Sequence, residues 1–471
     1  MNIFIFHRDL RLIDNNSMIK MLNNTTTIVP IFIFTPEQIN PDKNKYFSSN
    51  SVQFMCESLH TLSDDIKKHK GKIYFFKGDN INVLEEIHKQ HKIGSIGYNI
   101  DYTPYAVKRD NMIKEWCNAN NITLYNNEDY ALYDIIGGQT KSKTTENPYL
   151  IFTPFKKYCL KNLTVSKPDN FNKFKFSKVN ILSKNKYYLS EKEIDNFYTP
   201  NIDINVNGGR KNGLNILKNI EKWDKYNTMR DCLDYKTTHL GAHNHFGTIS
   251  IREVYYAILN KLGKNNNLIS ELHWRDFYYN IVYYNSKVLE GMIGKENLAF
   301  KEKYDLIKWS YDNVMFKAWC NGKTGFPIID AAMTQLNTTG FMHNRARMIV
   351  ASFLCKDLHI DWREGEKYFA TKLVDYDPIA NNQGWMWTAG CGTDASIWFR
   401  IFNPWTQGKK FDPKCKYIKQ WLPVLKDVPD KDIHNWNNVY NLYKEIKYHS
   451  PIIEHDVERL KTLEIYKKAL A

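Results

Sequence analysis

The 471-residue sequence predicts an α/β plus all-α chain: an N-terminal domain with a parallel, Rossmann-like sheet, then a large helical domain. Two patterns carry that expectation. Through about residue 130, short β-rich runs alternate with amphipathic segments. From Gly208-Gly209 onward, helical periodicity dominates to the end.

The β-rich runs are 2–6 (Asn2-Ile3-Phe4-Ile5-Phe6), 28–34, 72–76, 95–99 and 122–125. Helices are expected between them at Val83–His88 and Ala106–Cys117. A βαβ rhythm of near-continuous apolar strands predicts a parallel sheet covered on both faces. No G-x-G-x-x-G follows the first strand, so a dinucleotide site of the usual Rossmann kind is not supported. From Ala131 to Asn207 the pattern fades, and Lys141–Asn147 and the Lys/Asn-rich stretch after Lys161 read as an exposed connector. Phe152-Thr153-Pro154-Phe155 is a candidate anchor within it. The expected divisions are 1–130, 131–207 and 208–471.

The hydrophobic fraction of 43% argues for a folded soluble protein. A net charge of +14 and a pI near 9.1 favour a polyanionic partner, although the Lys- and Asn-rich composition of an AT-rich genome gives the same charge without function. The eight cysteines form no C-x-x-C pair, so neither a zinc site nor a redox dithiol is suggested, and no metal is expected. Scattered cysteines fit a reducing compartment, so an intracellular protein, cytoplasmic or nuclear, is expected. The opening apolar run is broken by His7-Arg8-Asp9, too soon for a signal peptide, and no apolar run is long enough to span a membrane.

The densest chemistry lies between Gly340 and Trp387: Phe341-Met342-His343-Asn344-Arg345-Ala346-Arg347-Met348, Asp361-Trp362-Arg363, Asp375-Tyr376-Asp377 and Asn381-Asn382-Gln383-Gly384-Trp385-Met386-Trp387. Charges on such apolar segments are costly unless paired, so an organised polar pocket inside a helical core is expected. The residue types suit a polar cofactor, an electron path through indoles and a base-sized cavity.

These blocks resemble the photolyase/cryptochrome family, and within it the class I cyclobutane pyrimidine dimer photolyases. The resemblance runs from Phe6-His7-Arg8-Asp9-Leu10-Arg11-Leu12 to about Leu425, through Glu271–Tyr278, Gly322–Met333 and Arg400-Ile401-Phe402-Asn403-Pro404. It implies a light-driven DNA repair lyase that holds FAD in the helical domain. By resemblance, Tyr226 and Thr237-Thr238-His239-Leu240-Gly241 wrap the diphosphate, with Gly241 replacing a common Ser; Arg275 joins the cofactor set. Two threonines before a helix also read as a plain N-cap. Arg347 and Asp375 match a buried ion pair beside the isoalloxazine, Asp377 a carboxylate near the ribityl chain, and Asn381 the amide facing flavin N5; a structural salt bridge with capping Asp and Asn is the alternative. Trp385, Trp362 and Trp309 match a three-indole relay, although each alone reads as a core aromatic.

Glu271, Trp274, Asn344, Met348 and Trp387 match the groups around a flipped dimer. Glu271 and Trp274 share one helical face, as do Asn344 and Met348. The (6–4) photolyases carry His at the positions of Asn344 and Met348, so dimer repair is expected instead. Arg230, Arg345, Arg400, Lys409 and Lys410 are candidates for phosphate contacts. The expected partner is DNA containing pyrimidine dimers, and the expected state is a monomer. A second antenna chromophore, folate or deazaflavin, stays open, as does an empty site. Asn44–Asn50 and Asp101–Ala106 lie where its pocket would form, and Ala106 and Leu289 replace the Glu and Cys that hold folate in the bacterial type. A cryptochrome photoreceptor, a (6–4) photolyase and a relative restricted to single strands are the rivals; the short C-terminal segment favours repair.

Overall fold

The computed structural model describes residues 1–178 and 185–471. Its sheet comprises β1 (Asn2–Phe6), β2 (Val29–Phe34), β3 (Tyr74–Lys77), β4 (Ser95–Ile100), β5 (Thr123–Glu128) and β6 (Tyr188–Leu189), in the order β5-β4-β1-β2-β3-β6. The first five are parallel, and β6 pairs antiparallel with β3. Alternation sends Ile3 and Ile5 into one apolar layer with Ile31, Ile33 and Tyr98. Phe4 and Phe6 enter the other, with Phe32, Phe34 and Leu59. Burial on both faces explains why β1 and β2 read as unbroken apolar runs.

The five expected strands are present, β1 with the expected bounds and the other four with shifted ends. Ile28 leaves β2 to bridge Phe176, and β5 continues to Glu128 because its pairing with β4 runs on to Ile100. The expected helices lie inside the longer Asn80–Gln90 and Pro104–Ala119. The 20-residue helix Ser49–Lys68 had no expectation, because its buried face carries Ser51, Gln53, Ser58 and Ser63. Such polar groups hide an amphipathic pattern but are satisfied locally, as where the Ser58 hydroxyl donates to the Phe54 carbonyl at 2.7 Å.

Between 131 and 207, Lys143–Asn147 is exposed, but the helix Phe152–Asn162 buries Phe152, Phe155 and Cys159. Part of the Lys/Asn-rich stretch, 179–184, lies outside the described residues.

Five helices position the site: α1 (Asn267–Tyr284), α2 (Pro327–Thr339), α3 (Asn344–Lys356), α4 (Trp362–Lys372) and α5 (Pro378–Ala389). Their ends are written in the sequence. Pro327 and Pro378 open α2 and α5; His343, Asp361 and Asp377 cap α3, α4 and α5 by accepting backbone N–H bonds. Gly340 (φ 67°) and Gly390 (φ 89°) end α2 and α5 in the left-handed region that favours glycine.

Buried charges tie the sheet layer to the helical body. Arg252 binds Asp14 at 2.8 Å and Asp129 at 2.7 Å, and Arg11 pairs with Asp129 while donating to the Gly247 carbonyl at 3.1 Å. No helix among the described residues is long and apolar enough to cross a membrane. All eight cysteines are free.

Candidate active site

The N-terminus of α5 gathers the most concentrated electrostatics. Asp377 Oδ1 accepts from the backbone N–H groups of Ile379 (2.9 Å) and Ala380 (3.1 Å). Its Oδ2 accepts from the Tyr279 hydroxyl at 2.5 Å, with Arg8 at 3.6 Å and His245 at 3.4 Å. Burial alone would raise this carboxyl. The hydrogen-bonding His245 and the guanidinium groups of Arg8 and Arg275 outweigh it and hold Asp377 far below the usual carboxylate range. Arg8 also binds Asp101 at 2.7 Å and donates to the Tyr279 hydroxyl at 3.0 Å. Arg275 lies 4.4 Å over the Tyr279 ring and donates to the Tyr130 carbonyl.

Arg347 and Asp375 form an ion pair at 2.9 Å, with Arg347 Nε donating to the Met342 carbonyl at 2.8 Å. Asp375 also packs on Gly241: a β-carbon there would lie 2.8 Å from its Oδ2. A serine at this position would crowd the carboxylate, which gives the glycine a local reason. The helix Gly241–Phe246 has Leu240 as its N-cap, and the Thr238 hydroxyl accepts the Leu240 N–H at 3.4 Å, so Thr238 supports the helix start. His239 sits in the left-handed region (φ 54°), held by Asn205 at 2.6 Å and edge-on to Phe341. Burial lowers its imidazole to about 4, so it is neutral at pH 7.

Asn381 donates its amide N–H to the Glu366 backbone carbonyl at 2.9 Å. A carbonyl acceptor fixes which end of the amide carries nitrogen, leaving Oδ1 to accept. Asn382 and Asn297 donate to the two Glu366 oxygens at 2.8 and 2.9 Å. Burial and the nearby Glu271 charge raise the Tyr226 hydroxyl.

Trp385 and Trp362 are buried, whereas Trp309 is half-buried. Gly365, one turn beyond Trp362 on α4, lies directly against Trp385: a β-carbon would meet its ring at 2.1 Å. A backbone bridge pairs Ser310 with Ile360, bringing the Trp309 segment beside the start of α4. The three indoles thus sit on contiguous, adjoining segments from core to surface.

Glu271 and Trp274 on α1 are half-buried, and Glu271 pairs with Arg230 at 2.8 Å. Partial burial raises the Glu271 carboxyl, against the pull of Arg230. Asn344 is exposed and Met348 half-buried on one face of α3, the amide 3.9 Å from the thioether sulfur. Arg345 pairs with Asp231 at 2.7 Å. Arg230 and Arg345 are therefore engaged within the protein, whereas Arg400, Lys409 and Lys410 project as exposed side chains. His343 Nδ1 accepts from the Arg345 N–H at 3.1 Å, and burial lowers the ring to about 4.

Sequence reasoning missed Arg8, Asp101, His245 and Tyr279 around Asp377, and Phe152 stacked on Trp274. The available signal for Arg8 was a charge two residues after the apolar run Ile3-Phe4-Ile5-Phe6.

The donor set suits FAD. Paired cations and carboxylates can face a polar chain and ring edge, and the Asn381 Oδ1 is free of a protein hydrogen bond among the described residues. Fold and site together fit a flavoprotein. Residues 2–172 match the family model for DNA photolyase, and residues 268–468 match the FAD binding domain of DNA photolyase. A deoxyribodipyrimidine photo-lyase of Buchnera aphidicola is 34% identical over 99% of this chain and 97% of its own. An archaeal photolyase of Sulfolobus tokodaii, solved with two FAD molecules, superposes with a TM-score of 0.86 at 36% identity, over 99% of this chain and 100% of that one. A Synechocystis cryptochrome gives a TM-score of 0.86 at 26% identity, covering 99% of each chain. The chain belongs to the DNA photolyase family.

Proposed function

We propose that the protein binds FAD in its helical part and uses absorbed light to split cyclobutane pyrimidine dimers in DNA. The observation that carries this reading is the Asn344–Met348 pair on the open face of α3, neither of which is a histidine that could act as a general acid. His343 caps α3 through Nδ1 and, being common to both lesion classes by resemblance, does not decide between them. When bound and reduced, FAD supplies the electron that opens the dimer. Under this reading Arg347, Asp375, Asp377 and Asn381 hold the ring region, and Thr237–Gly241 and Arg275 the remainder. Trp385, Trp362 and Trp309 carry electrons inward from solvent.

The lesion, once flipped from the duplex, rests among Glu271, Trp274, Asn344, Met348 and Trp387. A damaged base costs less to unstack than an intact one. Glu271 and Asn344 supply hydrogen bonds to base edges, while the indoles supply flat faces. Arg400, Lys409 and Lys410 contact phosphates, and Arg230 and Arg345 do so by exchanging their protein carboxylates. The divisions 1–130, 131–207 and 208–471 belong to the same proposal.

A cavity of about 690 Å³, lined by Tyr46, Phe47, Tyr105, Ala106 and Arg109 and bordered by Arg8, Asp101 and His245 of the Asp377 cluster, is assigned to a second chromophore. Ala106 faces it, while Leu289 is buried in the helical core. This argues against folate held in the bacterial manner. The two FAD molecules of the archaeal neighbour make a flavin the first candidate to test.

The test is chromatographic product analysis of defined dimer and (6–4) oligonucleotides after illumination with reduced enzyme. Dimer repair with little (6–4) repair is expected. The reverse would overturn the substrate class, and failure on both with flavin bound would favour a photoreceptor.

A further inference from the structure

Phe152 lies in the connector between the sheet layer and the helical body, far in sequence from every residue assigned to the lesion. Its ring stacks on Trp274 with centroids 3.6 Å apart and planes 9° from parallel. Phe277 meets both rings edge-on, at 5.9 and 5.8 Å. Two parallel rings in van der Waals contact leave no gap for a base. Whatever stacks on Trp274 must therefore take the face opposite Phe152.

The backbone holds this arrangement from outside α1. Phe152 opens its own helix, and its N–H donates to Asp394 Oδ2 at 3.1 Å. Asp394 is a non-glycine residue in the left-handed region (φ 46°), a conformation that costs energy and persists only where its surroundings require it. It lies in the loop after α5, where the Ser396 N–H donates to the Trp387 carbonyl at 3.1 Å. One aspartate thus links the segment backing Trp274 to the segment carrying Trp387. On the same connector helix, Lys156 donates to the Ser270 hydroxyl at 2.5 Å, one residue before Glu271.

We infer that Phe152 is a positioning residue for lesion binding: it closes one face of Trp274 and fixes the indole plane, so that the other face forms a rigid wall for the flipped dimer. The inference rests on the reading of Trp274 as a lesion contact. A fixed plane loses less rotamer freedom on binding, so it favours the bound lesion without touching it. The electron path and the cofactor do not pass through Phe152.

The test is dark binding of a duplex with a single thymine dimer and of the undamaged duplex, by fluorescence anisotropy, for Phe152→Ala, Phe152→Leu and Trp274→Ala. Phe152→Leu keeps apolar bulk without a flat ring, and serves if the alanine variant fails to fold. Either Phe152 variant is expected to lower the damaged-to-undamaged affinity ratio about tenfold, within the range of one lost base stack. Flavin content and flavin photoreduction should match the wild type. With pre-reduced enzyme, the half-saturating DNA concentration should rise while the repair rate at saturation holds. An unchanged ratio in the folded Phe152 variants, with Trp274→Ala losing it, would overturn the inference and leave the lesion reading standing. An unchanged ratio in Trp274→Ala as well would overturn both.

Discussion

Replacing Asp377 with asparagine tests the electrostatic centre of the site. The asparagine carbonyl can keep the two cap bonds from Ile379 and Ala380. Its amide nitrogen then faces Tyr279, whose hydroxyl already accepts from Arg8 at 3.0 Å and needs an acceptor for its own proton. The negative charge between Arg8, His245 and Arg275 is gone, leaving buried cations with less compensation. Removing one partner of a buried pair costs about 3–5 kcal/mol. Asp101 still holds Arg8 at 2.7 Å, so the low end, about 3 kcal/mol, is the expected loss. Because folding depresses the Asp377 carboxyl, its contribution is fully present above the ordinary value of 3.8 and is lost as pH falls below it. The gap between wild type and Asp377→Asn should therefore stay constant from neutral pH down to about pH 4 and narrow below that. Chemical denaturation followed by tryptophan fluorescence measures it, with FAD retention read by absorbance. A loss under about 1 kcal/mol, or a gap that narrows already between pH 7 and 5, would refute the assignment of Asp377 as the ionised centre.

Trp385→Phe should strongly slow photoreduction of oxidised FAD, yet spare repair by chemically pre-reduced protein; unchanged photoreduction with a reductant excluded from the flavin rejects the relay. Glu366→Gln should cost stability in urea unfolding despite its equal size, by an amount that shrinks as pH rises through about 7, where the wild-type contribution is itself lost. Asn297 and Asn382 both donate to that carboxylate, and their own oxygens are fixed by the Gly291 N–H and the Gln383 amide, so one new N–H must face another. Affinity for DNA should fall with added salt, and Lys409→Ala should weaken damaged and undamaged duplexes alike while lowering the salt slope by about one unit.

The sheet was legible because β1 and β2 are short apolar runs buried on both faces. The two-residue β6 carries no pattern of its own and depends on pairing with β3. Within the site, the contiguous motifs on α1, α3, α4 and α5 carried most of the candidates. The cluster around Asp377 was not legible, because its cations and hydroxyl come from segments far apart in sequence; Arg8 and Tyr279 are separated by 271 positions. Periodicity reports which face of one element is buried, but not which distant element supplies the opposing charge. Phe152 escaped for the same reason: an aromatic in a polar connector shows that something is anchored, without naming the ring it stacks on.

Two carboxylates near Asn381 are displaced in opposite directions, and the amide is insulated from both. Asp377 is held ionised by cations, while burial raises Glu366 to about 7, with two amide donors only partly opposing it. A carboxyl raised on folding contributes most below the unfolded value of 4.5, and its contribution is lost as pH rises through about 7. Glu366 therefore titrates near neutrality inside the folded site, whereas Asp377 does not. If Asn381 were oriented by the Glu366 side chain, its amide would turn with that titration. It donates instead to the Glu366 main-chain carbonyl at 2.9 Å, and its own backbone N–H binds the Asp377 carbonyl at 2.9 Å. Main-chain acceptors keep their lone pairs at every pH. The direction of the Asn381 oxygen is thus set by the backbone of α4 and α5, and it stays constant while the carboxylate beside it changes charge.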